Sequence, residues 1–458
     1  MIATAEELII KYIAGHRTFF STQNTKDIDF RLTQLRTLKK AILQHQEKIE
    51  NALWEDLHKS PEEAYLTEIS IVTGEIDNHI RHLKRWAAPK KVSTPIHLFP
   101  SSSKVLYEPL GTALIVAPWN YPFQLLINSL VGAISAGCCS VLKPSPDTPT
   151  VAKVMENMIS ENFESDYISV VQGGRETNTI LFAQNFDIIF FTGSPKVGKV
   201  VMKAAAENLT PVVLELGGKS PCIVDADANI EIAAKRITWG KLINAGQTCI
   251  APDYLFAHES IKEELLDKIA KNIKLMYGDT VKESRFYPRI VNEKAVERLS
   301  GLLNEGKIHT GGEIDLKEKF VAPTIIDNVQ PNFLVMQEEI FGPILPVMSF
   351  NHINEAISYI NKNEKPLAFY YFGKNKKAKD VLAKTTSGGA CVNDTLMHIS
   401  NHHLPFGGVG NSGMGNYHGQ ESFLVFSNKR AVVTTPTWMD LPLKYVPFKY
   451  FKLIKKIL

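Results

Sequence analysis

Residues 112–145, TALIVAPWNYPFQLLINSLVGAISAGCCSVLKPS, decide the fold that we predict for this chain of 458 residues. They contain an apolar strand at Thr112–Ala117, a helical pattern at Pro122–Ala136 and a second apolar strand at Cys139–Lys143. Three further apolar strands follow, with helical patterns between them, at Ile168–Gln172, Ile188–Thr192 and Pro211–Leu216. Near-continuous apolar strands that alternate with helices are typical of a buried parallel sheet. The sequence therefore predicts an α/β fold, and a second α/β section begins near Pro221.

Polar residues follow several of these strands directly, as Trp119-Asn120, Lys143-Pro144-Ser145 and Gly193-Ser194. Ligands of open parallel sheets bind beyond the carboxyl ends of the strands. The segment FTGSPKVGK, Phe191–Lys199, joins a strand to a helix through a glycine turn, and such a turn can approach a pyrophosphate. It does not match GxGxxG, so an ordinary turn is the alternative. The strand ends together predict a Rossmann-like dinucleotide-binding domain.

Three residues are candidates for catalysis. Cys249 ends a polar turn in LINAGQTCIAPD, Leu242–Asp253, where a thiol can be a covalent nucleophile or simply a buried cysteine. Glu215 lies between an apolar strand and a Gly-Gly turn, where burial suits a general base; an exposed strand end is the alternative. Asn120 is either a turn former or the donor to an oxyanion.

Two further positions have a functional and a plain interpretation. Lys143 can hydrogen-bond ribose hydroxyls or a phosphate, or it can be a solvated surface lysine. In the segment EEIFGP, Glu339 can bind ribose hydroxyls and Phe341 can lie against a flat ring, or the segment is a surface turn.

Composition excludes several classes of protein. A hydrophobic fraction of 44% and a charged fraction of 22% are typical of a soluble globular protein, and the net charge of +3 gives no reason to predict nucleic-acid binding. The five cysteines lack CxxC spacing, so we predict neither disulfides nor a metal site, and a reducing cytoplasm fits them. No apolar run approaches the ~20 residues that span a bilayer.

Seven motifs occur in order along the chain: PWNYP, LKPS, FTGSxxVG, ELGGKSP, GQTC, EEIFGP and PFGGVGxSGxG. Together they resemble the aldehyde dehydrogenase superfamily over roughly residues 35–435. The segments VNDTLMHIS, Val392–Ser400, and GNYHG, Gly415–Gly419, are most similar to the class-three branch, which acts on fatty and aromatic aldehydes. The resemblance implies NAD(P)-dependent oxidation of a medium- or long-chain aliphatic or an aromatic aldehyde to its carboxylic acid.

The resemblance also implies roles for individual residues. Cys249 matches the nucleophile that forms a thiohemiacetal and then a thioester, Glu215 the base that activates water, and Asn120 the oxyanion donor. The residues that match coenzyme-binding positions are Trp119, Lys143, Ser145, Gly193, Ser194, Val197, Gly198, Leu216, Glu339 and Phe341. A small β arm implies a homodimer. Tyr121, Ile250 and the Met397-His398 region are predicted to line the aldehyde channel.

One position departs from the family pattern. Members that prefer NAD often carry glutamate where this chain has Pro146, two residues after Pro144. Without that carboxylate a ribose acceptor is missing, and so is the charge that repels a 2′-phosphate. We therefore predict that NADP is tolerated or preferred.

The predicted domains are a dinucleotide-binding domain (1–87 and 104–216), a catalytic domain (217–404), a bridging and oligomerisation arm (88–103 and 405–435) and a tail (436–458). In the tail, FKYFKLIKKIL, Phe448–Leu458, has helical apolar spacing with lysines between; weak peripheral membrane contact and packing on protein are both open. Two alternative functions also stay open. One is a semialdehyde-specific or coenzyme A-acylating relative, against which Glu215 argues, and the other is a non-catalytic binding or structural protein that kept the fold.

Overall fold

The computed structural model describes residues 3–440, 442–448, 450–452 and 455. Its helices are α1 Glu6–Ser21, α2 Ile28–Leu57, α3 Pro61–Ala64, α4 Ser70–Trp86, α5 Pro122–Ala136, α6 Pro149–Asn162, α7 Arg175–Phe182, α8 Pro195–Ala206, α9 Ile230–Leu242, α10 Lys262–Tyr277, α11 Glu293–Gly301, α12 Leu334–Gln337, α13 Ile353–Lys362, α14 Asn375–Ala383 and α15 Gln420–Val425. A π-helical turn, Tyr65–Ile69, joins α3 to α4.

The strands belong to four sheets. They are β1 Lys90–Val92, β2 Ser102–Pro109, β3 Thr112–Val116, β4 Cys139–Lys143, β5 Ile168–Val170, β6 Ile188–Gly193, β7 Val212–Leu216, β8 Pro221–Val224, β9 Tyr254–His258, β10 Lys307–Thr310, β11 Ile314–Asp315, β12 Phe320–Val321, β13 Thr324–Asp327, β14 Ile344–Phe350, β15 Ala368–Phe372, β16 Gly389–Val392, β17 Gly413–Met414 and β18 Ser427–Thr434.

A six-stranded sheet in the order β17-β7-β6-β3-β4-β5 forms the first half of the molecule. All its neighbouring strands run parallel except β17, which pairs antiparallel with β7. Every residue of β3 and β4 is buried, and so is every residue of α5 between them, which explains their near-continuous apolar sequence. The predicted α/β fold with a parallel sheet is confirmed.

A seven-stranded sheet in the order β10-β13-β14-β9-β8-β15-β16 forms the second half. Its strands are parallel except β10, the antiparallel edge. The connection from β8 to β9 runs through α9 and the loop that carries Cys249. Cys249 therefore lies on a connection within the second sheet, whereas Glu215 belongs to β7 of the first.

A small antiparallel sheet, β1-β2-β18, joins the early chain to the late chain. All eight residues of β18 pair with β2, from Ser427 opposite Pro109 to Thr434 opposite Ser102. Strand β2 continues past residue 103, where the predicted arm ended, and β17 joins the six-stranded sheet although it lies in the predicted arm.

The C-terminal tail is described in part. Residues 441, 449, 453, 454 and 456–458 lie outside the described residues, so the amphipathic pattern over Phe448–Leu458 stays a prediction. Within the described ranges, no helix combines the length and the apolar character that crossing a membrane requires.

Candidate active site

The loop that presents Cys249 has an unusual backbone. After α9 ends at Leu242, Asn244, Ala245 and Gly246 have φ angles of 53°, 51° and 74°, in the left-handed region that costs energy for residues with a Cβ. Hydrogen bonds hold this backbone in place. Asn244 Nδ2 donates to the carbonyl oxygens of Asn120 (2.8 Å) and Gln247 (3.2 Å). The loop therefore presents Cys249 from a fixed frame.

Gln247 fixes the same loop from its other side. Its Nε2 donates to the carbonyl oxygens of Asn244 (3.1 Å) and Arg289 (3.0 Å), and its Oε1 accepts the N–H of Val291 at 3.0 Å. The side chain is fully buried, so each of these bonds replaces hydration that burial removed. The amide of Gln247 thus holds the loop that carries Cys249, the predicted nucleophile.

The segment after β3 is bonded directly to this loop. Asn120 Nδ2 donates to the carbonyl oxygen of Gln247 at 3.0 Å, and the hydroxyls of Tyr121 and Thr248 are 2.7 Å apart. An amide nitrogen carries two hydrogens, so one donor of Asn120 remains for a ligand. The structure therefore brings the predicted nucleophile and the predicted oxyanion donor together, although 127 residues separate Asn120 from Gln247.

Glu215 is the last residue but one of β7, and its side chain is buried. It is 3% exposed, and neither carboxyl oxygen finds a hydrogen-bond partner among the described residues. Burial raises its pKa well above the ordinary value, because the charged form has lost its hydration. Burial thus favours the neutral form of this carboxyl over the charged form.

Cys249 shares this environment. Burial, and then the charges of Glu339 and Glu215, raise the pKa of its thiol to about 12. Both glutamates therefore lie close enough to Cys249 to act on its charge. A thiol with this pKa is protonated in the resting state, so it needs a base or a nearby positive charge before it can attack.

The strand ends predicted to bind a dinucleotide share one edge of the six-stranded sheet. Ser194 caps α8 by accepting the N–H of Val197, and a Cβ at Gly198 would lie 2.9 Å from Leu216 Cδ2. Glycine at 198 thus lets the helix approach β7 closely. These features fit a pyrophosphate, because the helix N-terminus offers backbone N–H groups to an anion.

Lys143 is the last residue of β4, and Ser145 follows two residues later at the same edge. Lys143 is 1% exposed and donates to the carbonyl oxygen of Pro144 at 2.7 Å, so it is not a solvated surface lysine. Burial lowers the pKa of its ammonium to about 8. The Ser145 hydroxyl accepts the N–H of Asp147 at 3.2 Å. An ammonium and a hydroxyl at this edge fit the ribose or phosphate of a nucleotide.

The segment EEIFGP reaches the same region from the second sheet. Phe341 has a positive φ of 49°, and its ring packs edge to face on Trp119 with centroids 5.4 Å apart. The carboxylate of Glu339 lies over Gly217, where a Cβ would be 2.0 Å from Oε2. Burial raises the pKa of Glu339 to about 8. This segment is therefore part of the site rather than a surface turn.

A cavity of about 680 Å³ opens beside Cys249. Helices from the N-terminal region, α9, α10 and residues 396–418 form its walls. Its apolar lining residues are Leu66, Ile71, Tyr121, Leu125, Trp239, Ile243, Ile250, Met276, Tyr277, Phe286, Leu396, Met397, Ile399, Phe406 and Tyr417. Tyr121, Ile250 and Met397 thus line the cavity as predicted, whereas His398 is not among the lining residues and lies 3.3 Å from Cys391 Sγ through its Nδ1.

Sequence reasoning missed a buried ion pair beneath the site. Lys59 Nζ lies 2.5 Å from Glu68 Oε1, and both side chains are fully buried. Glu68 also accepts the N–H groups of Phe123 and Gln124 at the start of α5, at 2.9 and 3.2 Å. Its sequence signal was indirect: the residue before α5 is Tyr121, which cannot cap the helix as Ser or Asp would.

Among the residues that the structure describes, no group of three or more His, Cys, Asp or Glu side chains is placed to hold a metal ion. His398 and His402 are spaced as HxxxH, yet His398 contacts Cys391 and His402 binds Glu75. The coenzyme features described above are thus what the site offers to a cofactor.

Fold and site together define a dinucleotide-dependent oxidoreductase with a cysteine beside an apolar substrate cavity. Residues 3–432 match the aldehyde dehydrogenase family, and the chain belongs to that family. It is an enzyme that oxidises aldehydes to carboxylic acids with NAD or NADP, as predicted. The alternative of a non-catalytic protein is left without support.

Similar relatives indicate the branch of the family to which the chain is related. The chain is 47% identical over 443 residues to 4,4′-diaponeurosporen-aldehyde dehydrogenase of Staphylococcus aureus (96% of each chain), and 43% identical over 437 residues to the dimeric NADP-preferring aldehyde dehydrogenase of Canis lupus familiaris (95% of this chain, 96% of the other). The substrate-bound state of Staphylococcus aureus AldH superposes with a TM-score of 0.96 at 46% identity, covering 98% of this chain and 99% of that one. Family 3 members are also among the relatives, which confirms the class-three resemblance.

Proposed function

We propose that Cys249, Glu215 and Asn120 oxidise medium- or long-chain aliphatic or aromatic aldehydes that bind in the apolar cavity. The observation that carries this proposal is the junction at Cys249, where a rigid loop meets the cavity on one side and the strand ends on the other. An apolar cavity suits such aldehydes, because burial of their hydrocarbon supplies the binding energy. Glu215 argues for water as the acceptor and against a coenzyme A-acylating relative.

In this mechanism Cys249 first gives up its thiol proton to solvent, and the resulting thiolate attacks the aldehyde carbonyl. The remaining donor of the Asn120 amide and the backbone N–H of Cys249 stabilise the oxyanion of the thiohemiacetal. When bound, NAD or NADP supplies the acceptor for the hydride that leaves the carbon attached to Cys249. Glu215 then takes a proton from the water that hydrolyses the thioester. Burial raises its pKa, which makes the ionised carboxylate a stronger base towards that water.

For the coenzyme, we propose that the N-terminus of α8, with Gly193, Ser194, Val197 and Gly198, binds the pyrophosphate. We assign the adenosine ribose to Lys143 and Ser145, and the nicotinamide end to Trp119, Leu216, Glu339 and Phe341. The buried Lys143 and the missing carboxylate at Pro146 favour tolerance of, or preference for, NADP. One relative is named NADP-preferring, in agreement with this proposal.

We further propose a homodimer formed through the small sheet. Strand β1 is exposed along its length and most of β18 is exposed or half-buried, so this sheet offers an edge that a second copy can cover. A relative whose name calls it dimeric supports the assembly. A cytoplasmic location and a weak membrane contact of the tail remain predictions.

The proposed reaction is tested by following NADH and NADPH formation from benzaldehyde, hexanal and dodecanal. The wild-type enzyme should reduce coenzyme with at least one of them, and Cys249→Ala should not. Cys391→Ala is the matched control, because it removes another partly buried cysteine away from the cavity. Turnover by Cys249→Ala would overturn the assigned nucleophile, and absence of turnover by the wild type with all three aldehydes would overturn the substrate class. A many-fold better catalytic efficiency with NAD than with NADP would overturn the coenzyme proposal.

A further inference from the structure

Glu63 occupies a position between the aldehyde cavity and the nucleophile loop. It lies in the first turn of α3, where its N–H donates to the Ser60 hydroxyl at 3.2 Å, and its side chain lines the same cavity as Cys249. Its Oε1 accepts the backbone N–H of Asn244 at 2.7 Å. One hydrogen bond therefore joins this carboxylate to the left-handed segment that precedes Cys249.

The carboxylates that line the cavity are not matched by lysine or arginine side chains in its described lining. Glu62, Glu63 and Glu75 are among its described lining residues, and none of those residues is Lys or Arg. Glu75 is compensated, because it binds His402 at 2.7 Å and the N–H of Gly419 at 2.6 Å. Glu62 pairs with Arg285 at the surface. Glu63, in contrast, has the neutral N–H of Asn244 as its hydrogen-bond donor.

We propose that Glu63 excludes aldehydes that carry a carboxylate, so that the cavity selects neutral aldehydes, while its bond to Asn244 anchors the nucleophile loop. The inference rests on the proposed function and bears on the semialdehyde-specific alternative. A carboxylate that enters the cavity meets the like charge of Glu63, and the lining imidazole of His402 is already bound to Glu75, so the repulsion is left without a free partner to offset it. A neutral aldehyde avoids this repulsion.

The exclusion should depend on pH. Burial raises the pKa of Glu63 to about 7, so its charge appears between pH 6 and pH 8.5. The ionisable groups near it include Lys59 and Glu68, which form an ion pair with each other, and Tyr121, Tyr277 and Cys249, whose raised pKa values keep them neutral over this range. The same cavity is lined by Glu62, paired with Arg285, by Glu75, paired with His402, and by His418, whose pKa burial lowers to about 4. A substrate carboxylate is ionised throughout. Discrimination against it should therefore increase with pH.

The test compares hexanal with 6-oxohexanoate, which has the same chain length and a terminal carboxylate. We expect the ratio of kcat/KM values, hexanal over 6-oxohexanoate, to fall by about tenfold or more in Glu63→Gln at pH 8. Glu297→Gln on α11 is the matched control, because Glu297 is exposed and outside the cavity lining. The ratio should rise from pH 6 to pH 8.5 in the wild type and should rise less in Glu63→Gln, where His402 still titrates.

An unchanged ratio in Glu63→Gln, with hexanal still oxidised, would overturn the exclusion and leave the proposed function intact. A wild-type enzyme inactive on hexanal would instead count against the proposed function.

The anchoring role is tested by Glu63→Ala, which leaves the Asn244 N–H without its acceptor. We expect kcat for both aldehydes to fall in Glu63→Ala and to recover in Glu63→Gln, whose amide oxygen can accept the same bond. Equal kcat values in the two variants, both folded by thermal melting, would contradict it.

Discussion

The coenzyme side and the aldehyde side of the site are built in opposite ways. On the coenzyme side, the proposed binding groups lie at the carboxyl ends of strands of one sheet, as Lys143 ends β4 and Ser194 follows β6. On the aldehyde side, the cavity is assembled from helices and loops between Ser60 and His418, far apart in the sequence. The first arrangement depends on local turns, and the second depends on tertiary packing.

Because of this difference, the two sides recognise their ligands in different ways. Backbone turns and helix ends recognise the constant parts of a nucleotide, so they need few particular side chains. The cavity recognises its ligand through side chains from many elements, so single substitutions can change its shape and charge. Cys249 and Glu215 lie where the two sides meet. The four predictions below test that division.

The largest loss of activity is expected from substitution of Glu215. This residue lies in the sheet of the coenzyme side, but its proposed role is in the oxidation of the aldehyde. Glu215→Gln should lower steady-state turnover by about 10²–10⁴-fold, because the thioester lacks its base. The acylation step should survive as a burst of about one equivalent of reduced coenzyme per site, measured by stopped flow. Turnover close to that of the wild type would show that Glu215 is not the base and has a structural role only.

The second prediction concerns the thiol at the junction. Because the pKa of Cys249 is raised to about 12, its thiolate fraction, and so its rate of alkylation by iodoacetamide, should rise with pH. Between pH 7 and pH 9 the rise should be about 100-fold in the coenzyme-free protein, tenfold for each pH unit. Mass spectrometry of the Cys249 peptide measures it, in a Cys391→Ala background. A plateau below pH 9 would show that the aldehyde side does not hold the thiol protonated.

A smaller effect is expected on the coenzyme side alone. Pro146 is exposed, so a glutamate there can extend towards the adenosine ribose. Pro146→Glu should shift the kcat/KM ratio towards NAD by about tenfold, because the new carboxylate repels a 2′-phosphate. Pro331→Glu, at another exposed proline, should leave the ratio unchanged. Equal shifts in both variants would indicate a general charge effect instead of a local one.

The smallest effect is expected at the caps of two helices. Ser194→Ala and Asn292→Ala remove the side-chain caps of α8 and α11, which should cost about 1 kcal/mol or less each, and less at Ser194, where the bond is 3.5 Å against 2.9 Å. Thermal melting measures that loss. Ser194→Ala alone should also raise the KM for coenzyme, because only α8 points at the proposed pyrophosphate site. A matching rise in Asn292→Ala would contradict this assignment.

Sequence patterns predicted the sheet of the coenzyme side better than the cavity. Helix α5 and strand β4 have the bounds that were predicted, and every one of their residues is buried. Strand β5 was predicted to reach Gln172 and ends at Val170, although Val171 and Gln172 are buried, so burial outlasts strand pairing there. Apolar periodicity reports burial rather than hydrogen bonding.

The residues that were missed share another property. The partners of Lys59 and Glu63 at the site, the carbonyl of Asn120 and the N–H of Asn244, lie 61 and 181 residues away. No local pattern encodes such a pairing, because the partner is a backbone group that any residue would offer. Motifs pointed to the residues proposed as nucleophile and base, whereas the groups that hold the loop could be seen only in the folded chain.

Strand pairing in the small sheet imposes an order on biosynthesis. The hydroxyls of Ser101 and Thr435 lie 2.8 Å apart, yet 334 residues separate them in the chain. As the ribosome releases the chain from its N-terminus, at about 5–20 residues per second, β2 waits tens of seconds for β18. Throughout that interval one edge of β2 is unpaired and available to other nascent chains. The time that passes before β18 is synthesised therefore determines how long β2 can pair with the wrong chain.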